Sequence, residues 1–413
     1  MNWKGKKVAI LGWGVDTQDV EPWLRGQGAE ITILDEKKDG EPFGDLSGFD
    51  VLVRSPGVYR FRKEIVEAEK KGTVVTSKMK IFFDVCRGKI IGVTGTKGKG
   101  TTATLIYEIL KAAGTKVFLA GNIGTGIFAE IEKIDEETWV VLELSSFQLI
   151  DLEKSPAIAV VLMVTREHQD WHKDEEEYVL AKANIVKFQQ KEDWAVVNKD
   201  YPNSVRIGEM AEGIVMWITK NDLEGIDKNE VRLRGEHNLE NIVAAAAAAR
   251  IAGAEEETIR QTVSDFKGLV HRLEEVAKVK GVSYFDDSFS TTPETTIAAI
   301  NAFSEPVILI AGGSEKGSDF SELGRVISET KNIKAIILIG LMADRIEKSI
   351  ENKKIKILKG AKNMREIFEM VKREAAEGDV VLLSPACASF DMFKNYKERG
   401  EEFKGEVRKL QGS

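Results

Sequence analysis

Gly95-Thr96-Lys97-Gly98-Lys99-Gly100-Thr101-Thr102 decides how this chain reads. An apolar run, Lys89–Thr94, precedes it, and an amphipathic run, Thr101–Ala113, follows it. Strand, glycine-rich loop, helix is the context a phosphate-binding loop requires. Glycines let backbone N–H groups close around phosphate oxygens, and a helix N-terminus adds favourable potential. Lys99 is placed to reach β- and γ-phosphates. The glycine spacing is shorter than in the common loop, and Gly100 stands where a hydroxyl usually ligates Mg²⁺. Thr101 offers that hydroxyl one residue later.

The same alternation continues on both sides of this loop. Towards the N-terminus, Lys7–Trp13, Glu30–Asp35 and Asp50–Ser55 are short apolar strands, with a helix predicted over Val20–Gly28. Towards the C-terminus, strands are predicted at Lys116–Leu119, Trp139–Leu144, Ile158–Val164 and Trp194–Asn198, and helices at Glu176–Lys187 and Asn238–Ala252. Further strands follow at Val282–Phe285, Val307–Ala311, Ala335–Ile339 and Asp379–Leu383. Strands alternating with helices imply parallel sheets. The expected fold is α/β in three domains: a Rossmann-like domain over 1–87, a central mononucleotide-binding domain over 88–269 and a second Rossmann-like domain over 270–413.

The chain has 413 residues, 43% hydrophobic and 31% charged, with a formal net charge of −8. This is the composition of a soluble globular protein. It argues against a nucleic-acid binder held by charge. Cys86 and Cys387 supply neither a disulfide framework nor zinc spacing, which suits a reducing cytoplasm. Apolar runs such as Ala157–Val164 are too short to span a bilayer, and no signal peptide is read at the N-terminus. The expectation is a cytoplasmic protein without nucleic-acid or membrane partners, and a monomer.

Other candidate residues sit at strand ends. Carboxylates at the C-terminal ends of parallel strands face the ligand crevice, so Glu143 could hold Mg²⁺ and Asp35 a ribose or base. His168 follows a strand, where capping or packing competes with metal ligation. Lys182 lies mid-helix and reads as a surface lysine. Asn238 reads as a helix N-cap. With Asn241 one turn on, two carboxamides on one face could also meet a purine edge. Arg272 could neutralise phosphate charge, and Asp287 could take a ribose or metal, although each alone reads more often as a surface ion-pair group. The turn Gly12-Trp13-Gly14-Val15-Asp16-Thr17 is glycine-rich but lacks the full dinucleotide fingerprint.

Taken in order, these motifs resemble the Mur ligase superfamily over essentially the whole chain. Leu383-Ser384-Pro385-Ala386-Cys387-Ala388-Ser389-Phe390-Asp391-Met392-Phe393-Lys394-Asn395-Tyr396-Lys397-Glu398-Arg399-Gly400 is similar to the signature of its D-glutamate-adding branch. So are Glu143–Gln148, Gly121-Asn122-Ile123-Gly124 and Gly312-Gly313-Ser314-Glu315-Lys316. The resemblance implies an ATP-dependent ligase that joins D-glutamate to UDP-N-acetylmuramoyl-L-alanine through an acyl phosphate. It implies ATP on Gly95, Thr96, Lys97, Gly98, Lys99, Gly100 and Thr101, with Asn238, Asn241, Arg272 and Asp287 as further nucleotide contacts. Two Mg²⁺ sites would use Thr101, Glu143, His168 and Lys182, the last carbamylated. The substrate side would use Gly14, Val15, Asp16, Thr17, Asp35, Glu36 and Lys37 for UDP. Asn122 and Ser145 would serve the muramoyl end, and Lys316, Ser389, Phe390 and Tyr396 the incoming D-glutamate.

Four departures stand out. Phe289 occupies a position where the family usually carries lysine. Gly100 is more like folylpolyglutamate synthase. Trp13 and Asp16 replace smaller or neutral residues in the UDP loop, and Arg166-Glu167 replaces an acidic pair. Two other readings therefore share these motifs. A folylpolyglutamate-type or different Mur-type ligase would keep the loop, although residues 1–87 argue against the former. A catalytically weak nucleotide-binding homologue would show no ATP turnover dependent on both other substrates.

Overall fold

The computed structural model describes the whole chain except Thr125, Glu315, Lys316, Lys353, Ser413 and the side chain of Val15. Lys316, one of the residues expected at the amino-acid site, therefore lies outside the described residues. The chain folds into two compact units, Met1–Glu230 with His237–Asp265, and Val231–Glu236 with Phe266–Ser413. The first unit holds two sheets and the second holds one, and helices alternate with the strands throughout.

The first sheet comprises β1 (Lys7–Leu11), β2 (Glu30–Leu34), β3 (Val51–Arg54) and β4 (Val74–Ser77), in the order β2-β1-β3-β4, all parallel. Central strands read as unbroken apolar runs because both faces are covered, and Val8, Ala9, Ile10 and Leu11 are fully buried. The second sheet comprises β5 (Lys89–Thr94), β6 (Val117–Gly121), β7 (Trp139–Glu143), β8 (Ile158–Val161), β9 (Trp194–Asn198) and β10 (Ile214–Ile218). Its order is β10-β9-β8-β5-β7-β6, so β5 lies inside and the loop after it opens where the order reverses, the usual ligand crevice of such sheets.

The third sheet comprises β11 (Glu274–Val279), β12 (Val282–Asp286), β13 (Val307–Gly312), β14 (Ile333–Ile339), β15 (Lys356–Lys359) and β16 (Val380–Leu383). Its order is β11-β12-β16-β13-β14-β15, and β11 pairs antiparallel with β12 while the other pairings are parallel. Among the described residues, no helix is long and apolar enough to cross a membrane.

The first two sheets are joined by a buried ionic network. Arg54 ends β3 with none of its surface exposed. Its Nε and Nη2 donate to Asp151 Oδ2 at 2.9 and 2.5 Å, and Nη2 also donates to the Phe147 carbonyl at 2.7 Å. Its Nη1 donates to the carbonyls of Ser55 and Val58 at 3.0 and 2.7 Å. A buried charge is tolerated only when its donors are satisfied, and this guanidinium meets four acceptors.

Candidate active site

The glycine-rich loop leaves β5 and enters the helix Lys99–Ala112, as expected, with the helix starting two residues earlier than its apolar pattern suggested. Thr96 fastens the loop to the next strand connection. Its N–H donates to Met163 O at 2.6 Å, its hydroxyl donates to Thr165 O at 2.9 Å, and it lies 2.9 Å from the Tyr178 hydroxyl. Gly98 has a left-handed backbone, with φ of 86°, and a Cβ built on it would fall 2.1 Å from Asn241 Oδ1. Only glycine lets the loop and the Asn241 amide approach this closely. Lys99 Nζ donates to the carbonyls of Gly95 and Thr96 at 3.0 and 3.1 Å, so its ammonium sits over the loop. Lys97 points outward and pairs with Glu167 at 3.0 Å.

Lys182 is not the surface lysine its helical position suggests. It lies on the helix Glu175–Ala183 with 1% of its surface exposed. Its Nζ donates to Gly95 O at 2.9 Å and to Thr94 Oγ1 at 3.3 Å, and sits 4.7 Å from the centre of the Tyr178 ring. Burial pushes its amine well below the usual lysine range, the Lys99 charge pushes the same way, and Glu167 and Glu143 oppose it. The same group of charges acts on His168. Its imidazole is depressed first by burial and also by Lys182 and Lys99, against the pull of Glu167 and Asp170. Four expected residues, Lys99, Glu143, His168 and Lys182, therefore belong to one electrostatic neighbourhood beside the loop.

Sequence reading missed Tyr178, which sits four residues before Lys182 and so on the same helix face; that spacing was its only signal. It also missed His172, buried with Nε2 2.9 Å from Ser146 Oγ and Nδ1 3.2 Å from Glu177 Oε1. Glu177 in turn accepts from the Tyr59 hydroxyl at 2.7 Å. Phe147 packs against His168 and Trp171, which places these aromatic rings beside the expected metal ligand.

At the end of β7, Ser145 caps the short helix Ser146–Leu149 in a reciprocal box with Gln148. Gln148 Nε2 also donates to Asp16 Oδ1 at 3.3 Å. Burial raises the Asp16 carboxyl, Lys78 opposes that shift and Asp19 adds to it. Asn122 is exposed, and its N–H donates to Glu143 O at 3.2 Å. In the N-terminal turn, Thr17 Oγ1 is 3.1 Å from the carbonyls of Gly12 and Gly14. Asp35 accepts the N–H of Trp13 at 2.6 Å and caps Lys37 and Lys38, so it shapes the turn that carries Gly14. Glu36 is held by both Arg62 nitrogens at 2.6 and 2.8 Å, and Lys37 is exposed.

Asn238 is not an N-cap. The helix starts at Glu236, and Asn238 lies inside its first turn, buried, accepting from Asn241 Nδ2 at 2.9 Å. The two carboxamides share one face, which is the alternative their spacing allowed.

The second unit gathers Arg272, Asp287, Ser389 and Tyr396. Asp287 is buried, and its carboxylate accepts Leu273 N–H at 3.1 Å and Ser384 Oγ at 2.7 Å. Burial pushes its carboxyl up to about 7, against the Ser290 and Ser384 hydrogen bonds. Ser389 is buried, whereas Phe390 is 72% exposed. Arg399, to which sequence reading gave no role, is fully buried. It donates to Ser288 Oγ and Ser288 O at 2.9 Å and to Cys387 O at 3.2 Å, tying the helix Tyr396–Gln411 to both loops. Nothing in a lysine- and glutamate-rich helix marks that arginine in advance.

Among the described residues, His271, Glu274 and Asp286 bring three possible metal-ligand atoms within 4.8 Å. Lys404 Nζ stands 2.7 Å from Glu274 and 3.9 Å from Asp286, and His271 Nδ1 is 2.7 Å from Asp286. An ammonium already neutralises this cluster, so it reads as a structural ion network.

A glycine-rich loop between a parallel strand and a helix, beside a buried lysine, is the architecture of a phosphate-binding α/β protein. The family model described as Mur ligase middle domain matches residues 93–249, and that described as Mur ligase, glutamate ligase domain, matches residues 271–387. The MurF ligase from Thermotoga maritima in complex with ADP superposes with a TM-score of 0.61 at 19% identity, covering 98% of this chain and 96% of that one. The UDP-N-acetylmuramate-alanine ligase MurC from the same organism gives 0.60 at 15% identity, covering 98% and 99%. Both show the shared fold. At the sequence level, the UDP-N-acetylmuramoylalanine–D-glutamate ligase of Acetivibrio thermocellus is 39% identical over 99% of this chain and 97% of its own length. Its namesake from Clostridium botulinum is 37% identical over 98% and 97%. The chain belongs to the UDP-N-acetylmuramoylalanine–D-glutamate ligase family of Mur ligases.

Proposed function

We propose that this chain couples ATP cleavage to amide-bond formation between D-glutamate and UDP-N-acetylmuramoyl-L-alanine, as a cytoplasmic monomer working through domains 1–87, 88–269 and 270–413. The near-complete span of relatives bearing that name supports the substrates. The observation that carries the chemistry is Lys182, buried with a depressed amine against the carbonyl of Gly95 in the glycine-rich loop.

The terminal L-alanine carboxylate attacks the γ-phosphorus of ATP, and ADP leaves. The D-glutamate amine then attacks the acyl carbon, phosphate leaves and the amine loses a proton. Catalysis of this kind is mostly positioning and charge neutralisation. Gly95, Thr96, Lys97, Gly98, Gly100 and Thr101 cradle the phosphates, and Lys99 offsets charge at the transferring group. Asn238, Asn241, Arg272 and Asp287 contact the nucleotide. Gly14, Val15, Asp16, Thr17, Glu36 and Lys37 take the UDP end, with Asp35 shaping their turn. Asn122 and Ser145 serve the muramoyl end, and Lys316, Ser389, Phe390 and Tyr396 the glutamate.

A neutral buried amine is the form that adds to carbon dioxide. The Lys182 Nζ–carbon bond forms, one N–H proton leaves, and a carbamate anion results. With that group, the donor set of Thr101, Glu143, His168 and Lys182 is rich in oxygen and suits Mg²⁺. Two Mg²⁺ ions held there would supply charge neutralisation for the transferring phosphoryl group.

The test is phosphate release from ATP with each other substrate omitted in turn. Release should need both, and Lys99→Ala should lower it by roughly three or more orders of magnitude. Turnover without D-glutamate, or near-normal turnover in the variant, would reject the reading.

A further inference from the structure

Phe289 breaks the pattern of the family this chain resembles, and the structure shows what the ring touches. The Arg272 guanidinium lies over it, with Cζ 3.8 Å from the ring centre. Tyr396 meets the same ring edge to face, centroids 5.0 Å apart and planes at 88°. Phe289 is 39% exposed, so it is not filling the core.

The backbone around Arg272 is unusual in the same place. His271 and Leu273, its two neighbours, have φ of 65° and 45°, a left-handed conformation costly for residues with a Cβ. That conformation persists only where surroundings impose it, and here the segment Asp286–Phe289 does so. Asp286 Oδ2 holds His271 Nδ1 at 2.7 Å, Asp287 Oδ1 accepts the Leu273 N–H at 3.1 Å, and the Phe289 N–H donates to His271 O at 3.0 Å. Gly400 closes the arrangement, since a Cβ there would fall 2.2 Å from His271 Nδ1.

We propose that Phe289 is a positioning residue, whose ring face fixes the Arg272 guanidinium plane for a nucleotide phosphate. The proposal rests on the reading of Arg272 as a nucleotide contact. A face contact consumes none of the five in-plane N–H donors of arginine, so the ring orients the guanidinium without itself occupying the donor edge. A lysine at this position would bring a second cation against the guanidinium. The phenyl ring gives up that charge and fixes the arginine instead, and through Tyr396 the same ring reaches a residue assigned to D-glutamate.

The experiment uses the full chain, with Phe289→Leu, Phe289→Tyr, Arg272→Gln and the Phe289→Leu/Arg272→Gln pair. The readouts are the KM for ATP against kcat in phosphate release, Mg²⁺-ADP affinity by calorimetry, and melting temperature. A half-buried cation–π contact predicts that Phe289→Leu weakens ADP and raises the ATP KM about fivefold, with kcat little changed. Phe289→Tyr, which keeps the ring face, should restore wild-type behaviour, and Phe289→Leu should add nothing once Arg272 is glutamine. Should the leucine variant not fold, Phe289→Met takes its place. An unchanged ADP affinity in Phe289→Leu, or the same loss with and without Arg272, overturns the proposal. A wild-type chain that binds ADP but ligates nothing refutes the proposed reaction, while the ADP measurements still decide the role of Phe289.

Discussion

Replacing Gly98 by alanine tests the glycine-rich loop from its geometry alone. The backbone at Gly98 has φ of 86°, which costs a residue with a Cβ roughly 1–2 kcal/mol. The new methyl group would lie 2.1 Å from Asn241 Oδ1 and 3.1 Å from Asn241 Cγ, so the amide must turn away. Turning it breaks the 2.9 Å bond from Asn241 Nδ2 to Asn238 Oδ1, in a buried setting where a stranded polar group costs about 1–3 kcal/mol. The sum, about 2–5 kcal/mol, should lower the melting temperature on the order of 10 °C, read by scanning calorimetry. ATP affinity should fall as well, because the same displacement moves both carboxamides proposed to meet the nucleotide. In an Asn241→Ala background the clash is gone and only the backbone cost remains, so Gly98→Ala should cost about half as much there. Equal costs in the two backgrounds, or an unchanged melting temperature and ATP affinity in Gly98→Ala, would refute the reasoning.

Two further perturbations follow from buried ionisable groups. Lys182→Met should keep or raise the melting temperature while turnover falls at least about a hundredfold, because it removes a buried amine that the chemistry needs; formate should partly restore turnover to Lys182→Ala. Burial lowers the folded-state value of the Lys182 amine below the ordinary 10.5, so the unfolded chain binds the extra proton and stability rises with pH across that interval. Lys182→Met should flatten this slope in melting curves taken between neutral pH and pH ~10. Asp287 behaves oppositely. Its carboxyl is raised from 3.8 to about 7, so the folded state binds the extra proton and stability is lost as pH rises through about 7. Asp287→Asn should therefore show a smaller fall in melting temperature between pH ~5 and ~8 than the parent chain.

The interior of each sheet was legible in the sequence, but of the six edge strands only Glu30–Leu34 and Val117–Gly121 were. Val74–Ser77, Ile214–Ile218, Glu274–Val279 and Lys356–Lys359 went unread, and all four are edge strands with exposed positions in their burial patterns. A strand covered on both faces announces itself as a continuous apolar run; one half in water does not. At the site, the glycine-rich loop was legible because its backbone demands glycine and its phosphate chemistry demands lysine. The burial of Lys182 was not, since helical spacing says which face a residue shares and not whether that face is covered. Asn238 was misread as a cap because the helix starts on Glu236, before any apolar repeat. Phe289 declared itself only as a departure from pattern; its partner Arg272 lies on a separate segment that strand pairing brings alongside.

The Arg54–Asp151 network has a consequence for anyone recombining this chain with its relatives. A crossover near residue 87 would separate the guanidinium from the carboxylate and the Phe147 carbonyl it satisfies. A graft carrying a neutral residue at position 151 would strand the Arg54 guanidinium in the interior, typically a loss of about 3–5 kcal/mol. The first two sheets are thus inherited as a matched pair, and a hybrid gene should exchange both or neither.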